Sequence, residues 1–112
     1  MTAEEVLAKV EAEIGDDWDL SNEHSVDLKT SVVRPPELRQ YKNSLHLSKQ
    51  PGDRDTRRNA PKIQLWLVLY EHPESKKGYV IVYDEVDDLF GLAAGDTFVA
   101  HYGTFLETLE AM

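Results

Sequence analysis

Four histidines, His24, His46, His72 and His101, are the side chains of this 112-residue chain best suited to binding a metal or moving a proton. No two of them stand at the HxH or HxxxH spacing that puts a pair of imidazoles on one ion, so each reads as a surface or half-buried structural histidine. The cluster Asp84, Glu85, Asp87 and Asp88 offers oxygen ligands to a divalent cation. It lacks the alternating ligands, central glycine and closing glutamate of a calcium loop, and reads as a solvated, charged turn. Ser25, Ser31, Ser44, Ser48 and Ser75 sit in no strained turn beside a base, and the six glycines form no phosphate-binding pattern. Carboxylates assembled from distant positions leave no mark on a sequence, but every motif that does leave one is missing. The expectation is a protein with no cofactor and no metal site, and one that is not an enzyme.

Two groups of side chains remain as candidate binding surfaces. Trp66, Tyr70, Tyr79 and Tyr83 would line one face of a β-hairpin and offer large, stiff, amphipathic contact area of the kind enriched at interfaces. The alternative for that face is burial beneath a helix as half of the core. Arg54, Arg57 and Arg58 lie in a stretch rich in proline and charge and could grip an anion with paired donors. The alternative for that loop is a solvated segment whose charges serve solubility.

The hairpin that would carry the aromatic face is the strongest structural signal. KIQLWLVLYE (62–71) and GYVIVYDE (78–85) are β-rich and are separated by HPESKK, whose proline and charges suit a loop. With Glu71 opposite Gly78, Leu69 faces Val80 and Leu67 faces Val82. On the other side Tyr70 meets Tyr79, Val68 meets Ile81 and Trp66 meets Tyr83, so one face is aliphatic and the other aromatic and β-branched. Strands apolar on both faces are covered on both sides and belong in the middle of a sheet.

Around the hairpin, Thr2 and Glu5 stand at capping-box spacing before an apolar stripe of Ala3, Val6, Leu7, Val10 and Ile14, which predicts a helix ended by Gly15. Trp18, flanked by Asp16, Asp17 and Asp19, reads as folded back on the core edge. Val26, Leu28, Val32 and Val33 fit one extended segment or a helical turn followed by a strand, and Pro35 and Pro36 are expected to stop either. Residues 38–47 read as a strand at a sheet edge, and residues 48–61 as an exposed loop. LFGLA (89–93) predicts a third strand of the meander, with a helical turn as the alternative. Asp96 can cap a last helix with the stripe Phe98, Val99, Tyr102, Phe105, Leu106 and Leu109. The Thr104–Glu107 capping box supports the other reading, a strand over 98–102 and a helix from Phe105.

The whole is an α+β fold in a single domain, 1–112: an N-terminal helix, a mainly antiparallel sheet of three to five strands ordered as a meander, and a C-terminal helix. Both helices are expected to pack on the aliphatic face of Ile63, Leu65, Leu67, Leu69, Val80 and Val82. Composition agrees with a packed core, since 41% of residues are hydrophobic. The chain has no cysteine, which fits a reducing compartment, and no apolar run long enough for a membrane span, so a cytoplasmic protein with no membrane partner is expected. Net charge is -9, but residues 27–62 carry nine of the twelve lysines and arginines and are locally +5, which leaves -14 on the rest. That balance disfavours nucleic acid and suits a basic protein partner.

The phrase WLVLYEHPESKKGYVIVYDEVDDLFGLA, followed by YGTFLETLEAM, resembles the C-terminal half of a family of small uncharacterised bacterial proteins, a domain of unknown function. The resemblance implies a bacterial, cytosolic origin and assigns no activity or functional residue. The function expected from these readings is a non-enzymatic protein-binding module, either regulatory or of the toxin-neutralising immunity type, or a homodimer formed through the aromatic face. The alternative is a binder of a small ligand, or an enzyme, with its pocket between sheet and helix.

Overall fold

The computed structural model describes residues 1–16, 18, 27–43 and 61–112. Arg54, Arg57 and Arg58, and the loop expected over 48–61 apart from Pro61, lie outside the described residues. The chain folds as α1 (Ala3–Ile14), α2 (Leu28–Ser31), β1 (Val32–Asn43), β2 (Lys62–His72), β3 (Lys77–Asp84), β4 (Leu89–Ala94), β5 (Thr97–Gly103) and α3 (Phe105–Ala111). This is an α+β fold with a helix at each end of a five-stranded antiparallel meander. The meander closes into a barrel through a short parallel contact in which Lys42 and Asn43 of β1 meet Thr97 and Phe98 of β5. None of the helices among the described residues is long and apolar enough to cross a membrane.

Closure follows from the two-faced strands at the centre. β2 and β3 pair with Trp66 opposite Tyr83 and Leu67 opposite Val82, as the sorting of rings and aliphatic groups requires. One extra residue then enters β2 at Val68, so Leu69 faces Ile81 and Tyr70 faces Val80, in place of the expected Leu69–Val80, Val68–Ile81 and Tyr70–Tyr79 pairs. A second irregularity restores the frame by His72 and Lys77. A bulge of this kind bends and twists the strand that carries it, which helps a five-stranded sheet to curl.

The two faces divide the apolar residues into two clusters. Tyr41, Ile63, Leu65, Leu67, Val80, Val82, Ala93 and Phe98 fill the barrel interior. Trp66, Val68, Leu69, Ile81, Tyr83, Phe90 and Leu92 face outward, where α1 covers them with Val6, Val10 and Ile14 and α3 with Phe105 and Leu109. The helices therefore pack on the aromatic side and not on the aliphatic one. The barrel interior is filled mainly by aliphatic groups with Tyr41 and Phe98, while Trp66, Tyr83 and Phe90 lie under the helices. Leu69 alone of the expected aliphatic face lies under the helices, because the bulge turns it outward.

Three other segments settle or correct the expectations. Asp27 caps the short α2, and β1 begins directly after it and continues through Pro35 and Pro36. The prolines are tolerated because they fall in the irregular stretch between the Val32–Leu69 and Glu37–Leu67 pairs. β1 is also not an open edge, since it lies between β2 and β5. At the other end, Phe98 is drawn into the barrel interior, so the chain after Asp96 forms β5, and Gly103 at φ +117° breaks it. The capping box of Thr104 and Glu107 then starts α3, which is the second of the two readings of that segment. Trp18 packs against the helix-side cluster, with the Arg34 guanidinium 5.0 Å from its ring centre.

Gly91 marks the tightest strand contact, beside a register shift between β4 and β5. A β-carbon there would stand 2.4 Å from the Ala100 carbonyl oxygen, an atom of the backbone. Gly91→Ala is expected to destabilise the fold by about 1–3 kcal/mol, as overpacking does, and urea denaturation measures it.

Candidate functional site

β1 places Arg39 and Tyr41 two residues apart, so both point to the same side of the strand, the side Tyr41 takes into the barrel interior. On the neighbouring strand β2 the Val68 bulge brings Tyr70 to this side, where it packs against the interior cluster. Lys76, in a left-handed turn at φ +55°, and Gly78 at the start of β3 close the rim. Together with Leu67, Val80 and Gly95 they enclose a cavity of about 100 Å³ at the barrel mouth.

The polar groups of this cavity act on one another. The Arg39 guanidinium is held by the Glu37 carboxylate, to which both its Nε–H and an Nη2–H donate. Partial burial opposes the charge on Arg39, but the bond to Glu37 and the neighbouring tyrosines outweigh it and hold the guanidinium charged above its ordinary range. Burial pushes the Tyr41 phenol up to about 12, with Arg39 pulling in the other direction. Among the described residues no hydrogen bond engages the Tyr41 hydroxyl. The Lys76 ammonium lies 6.0 Å from the Tyr70 ring centre, within range of a cation–π contact. The site therefore joins the Arg39 guanidinium, Lys76 and two tyrosines over an apolar floor of Leu67 and Val80.

The residues expected to bind are scattered by the fold. Trp66 and Tyr83 pair across the strands but are covered by the helices, at 8% and 2% exposure. The aromatic side is accordingly half of the core and not a free contact surface. Their polar atoms reach its edge: the Trp66 indole N–H donates to Glu85 Oε1 at 3.3 Å, and the Tyr83 hydroxyl donates to Asp88 Oδ1 at 2.6 Å. Tyr79 is 44% exposed and does not line the cavity. Only Tyr70 belongs to the barrel mouth, through a bulge that the alternation of β2 does not reveal. Arg39, Tyr41 and Lys76 went unselected. The shared parity of Arg39 and Tyr41 was the available signal, and it gained meaning only when β1 was known to line a closed barrel.

Comparison with protein-family models, with curated proteins and with solved structures gives no match.

The Tyr83–Asp88 pair has a titration that can be followed. The hydroxyl of Tyr83, and then Lys9 at 3.2 Å, hold the Asp88 carboxyl below its ordinary value. A carboxyl depressed in the fold stabilises it above the unfolded pKa, and that contribution is lost as the pH falls through the folded value. Tyr83→Phe is expected to return Asp88 towards the ordinary carboxyl range, seen by carbon-detected NMR titration. The stability difference between wild type and Tyr83→Phe should then narrow on acidification below about pH 4.

Proposed function

We propose that this protein is a non-enzymatic binding module whose barrel mouth takes up a carboxylate group. The observation that carries the reading is the convergence of Arg39, Tyr41, Tyr70 and Lys76 on one small cavity with an apolar floor. Glu37 holds the Nε–H and one Nη2–H of Arg39, which leaves Nη1 and the second Nη2 proton as the paired donors that match the two oxygens of a carboxylate, and phenol hydroxyls donate to the same oxygens. Leu67 and Val80 suit the short hydrocarbon that carries the group. A volume of about 100 Å³ is well below that of sites for drug-sized ligands, so it accommodates a few heavy atoms. That size fits a short free acid or the side chain of an aspartate or glutamate presented by a protein partner. The second source keeps the protein-binding role, regulatory or immunity-type, within the same chemistry. The cysteine-free composition and the resemblance of the C-terminal half favour a bacterial cytosol as its setting.

The local charge makes such a site selective. The chain as a whole is at -9 and repels anions at long range, whereas Arg39 and Lys76 attract one at short range. A ligand must therefore fit the cavity to gain from it, and a bulky polyanion gains little.

Titration of isotope-labelled protein with acetate or propionate, and separately with a short peptide bearing one glutamate, is expected to give saturable amide shifts at Gly78 and Gly95 in at least one arm. Arg39→Ala should weaken that binding by roughly ten- to a hundred-fold, the loss of a hydrogen bond to a charged group, and Tyr41→Phe by less. Shifts that fail to saturate in both arms, or that survive Arg39→Ala, would exclude the barrel mouth as the site.

A further inference from the structure

The ends of β3 and β5 carry a second constellation, made of none of the residues at the barrel mouth. Asp84 ends β3 and is 1% exposed, and His101 lies near the end of β5 with its side chain 23% exposed. Seventeen residues separate them in sequence, yet His101 Nε2 stands 3.0 Å from Asp84 Oδ2. Asp87, on the exposed turn between β3 and β4, brings a third donor, and one ligand atom from each of the three lies within 4.8 Å of the others. We propose that Asp84, Asp87 and His101 form a binding site for a divalent transition-metal ion such as zinc.

Four features separate this arrangement from a surface patch of acids. The first is the imidazole, which supplies the nitrogen ligand that zinc favours and that calcium and magnesium do not need. The second is geometry. At metal–ligand lengths of about 2.0–2.1 Å, two donors 3.0 Å apart subtend roughly 90° at a shared ion, and opening by a few tenths of an ångström gives the tetrahedral angle. The third is support from surrounding groups: Asp84 Oδ1 accepts the Val86 N–H at 3.1 Å, and the Phe98 ring packs against the His101 ring with centres 4.9 Å apart. Ligands held in this way are pre-oriented for an ion. The fourth is access, because Asp87 is exposed and leaves a coordination position open to water. The other two acids of the turn are engaged elsewhere, Glu85 by Trp66 and Asp88 by Tyr83 and Lys9. The ion would take the place of the proton shared between His101 Nε2 and Asp84, and the coordinating neutral imidazole then carries its proton on Nδ1.

Zinc chloride titrated into the full chain, followed by calorimetry and by the imidazole NMR signals, tests the site. The expected result is one equivalent bound, with the His101 resonances moving and magnesium failing to compete. His101→Gln and Asp87→Asn should each weaken binding at least roughly ten-fold. Asp87 is exposed, so its variant carries the test if His101→Gln does not fold. The absence of a one-equivalent event, or zinc binding undiminished in Asp87→Asn with His101 resonances unmoved, would overturn the proposal. The latter result would assign the ion to the other histidines.

Discussion

The structure depends on one constraint: the central hairpin is apolar on both faces and cannot leave either to water. A sheet in that position needs two covers. Here the inner cover is the sheet itself, rolled until β1 meets β5, and the outer cover is the pair of helices from the two ends of the chain. Aliphatic side chains with Tyr41 and Phe98 fill the interior, whereas Trp66, Tyr83 and Phe90 lie beneath the helices and Phe105 of α3 meets them, with Tyr83 and Phe90 4.7 Å and Phe90 and Phe105 5.8 Å apart. Aromatic rings at such separations and tilts gain beyond the area they bury.

Because the covers differ, the polar atoms of the core leave by different exits. The outward rings send an indole N–H and a hydroxyl to Glu85 and Asp88, so a buried aromatic layer ends in a row of carboxylates. The inward face ends in Tyr41 and Tyr70 with Arg39 and Lys76 at the mouth. The fold thus separates the polar groups by geometry, with Glu85 and Asp88 beside the N-terminal ammonium and Lys9 under the helices, and with Lys76 and the Glu37-paired Arg39 at the barrel opening. This separation is finer than the division of the sequence into a basic middle and acidic flanks.

Much of the architecture was legible in the residues. The capping boxes at Thr2 and Thr104, the hairpin and its sorting of rings from aliphatic groups at Trp66–Tyr83 and Leu67–Val82, and the strand at 89–93 each rest on local patterns, and each is present. What the residues did not disclose is non-local. Closure depends on a two-residue contact between β1 and β5 that no periodicity encodes. The bulge at Val68 leaves the composition of β2 unchanged while reversing the side of Leu69 and Tyr70, so a strict two-residue alternation misplaced both. The candidate site is hidden for the same reason, since Tyr70 reaches it through the bulge and Arg39 through a β1–β2 pairing that residue periodicity does not encode.

The start of α3 contains a long-range tie. The Glu13 carboxylate, near the end of α1, accepts the backbone N–H of Phe105 at 3.1 Å and of Leu106 at 3.4 Å, which satisfies amide donors that a helix start leaves open. The partners are 92 and 93 residues apart. During synthesis the first helix thus leaves the ribosome long before the segment that it anchors exists, and its stripe of Val6, Val10 and Ile14 must wait for the barrel to receive it. Docking of the two termini is accordingly a late event of folding, and a nascent chain halted before β2 would display that stripe to whatever chaperone is near.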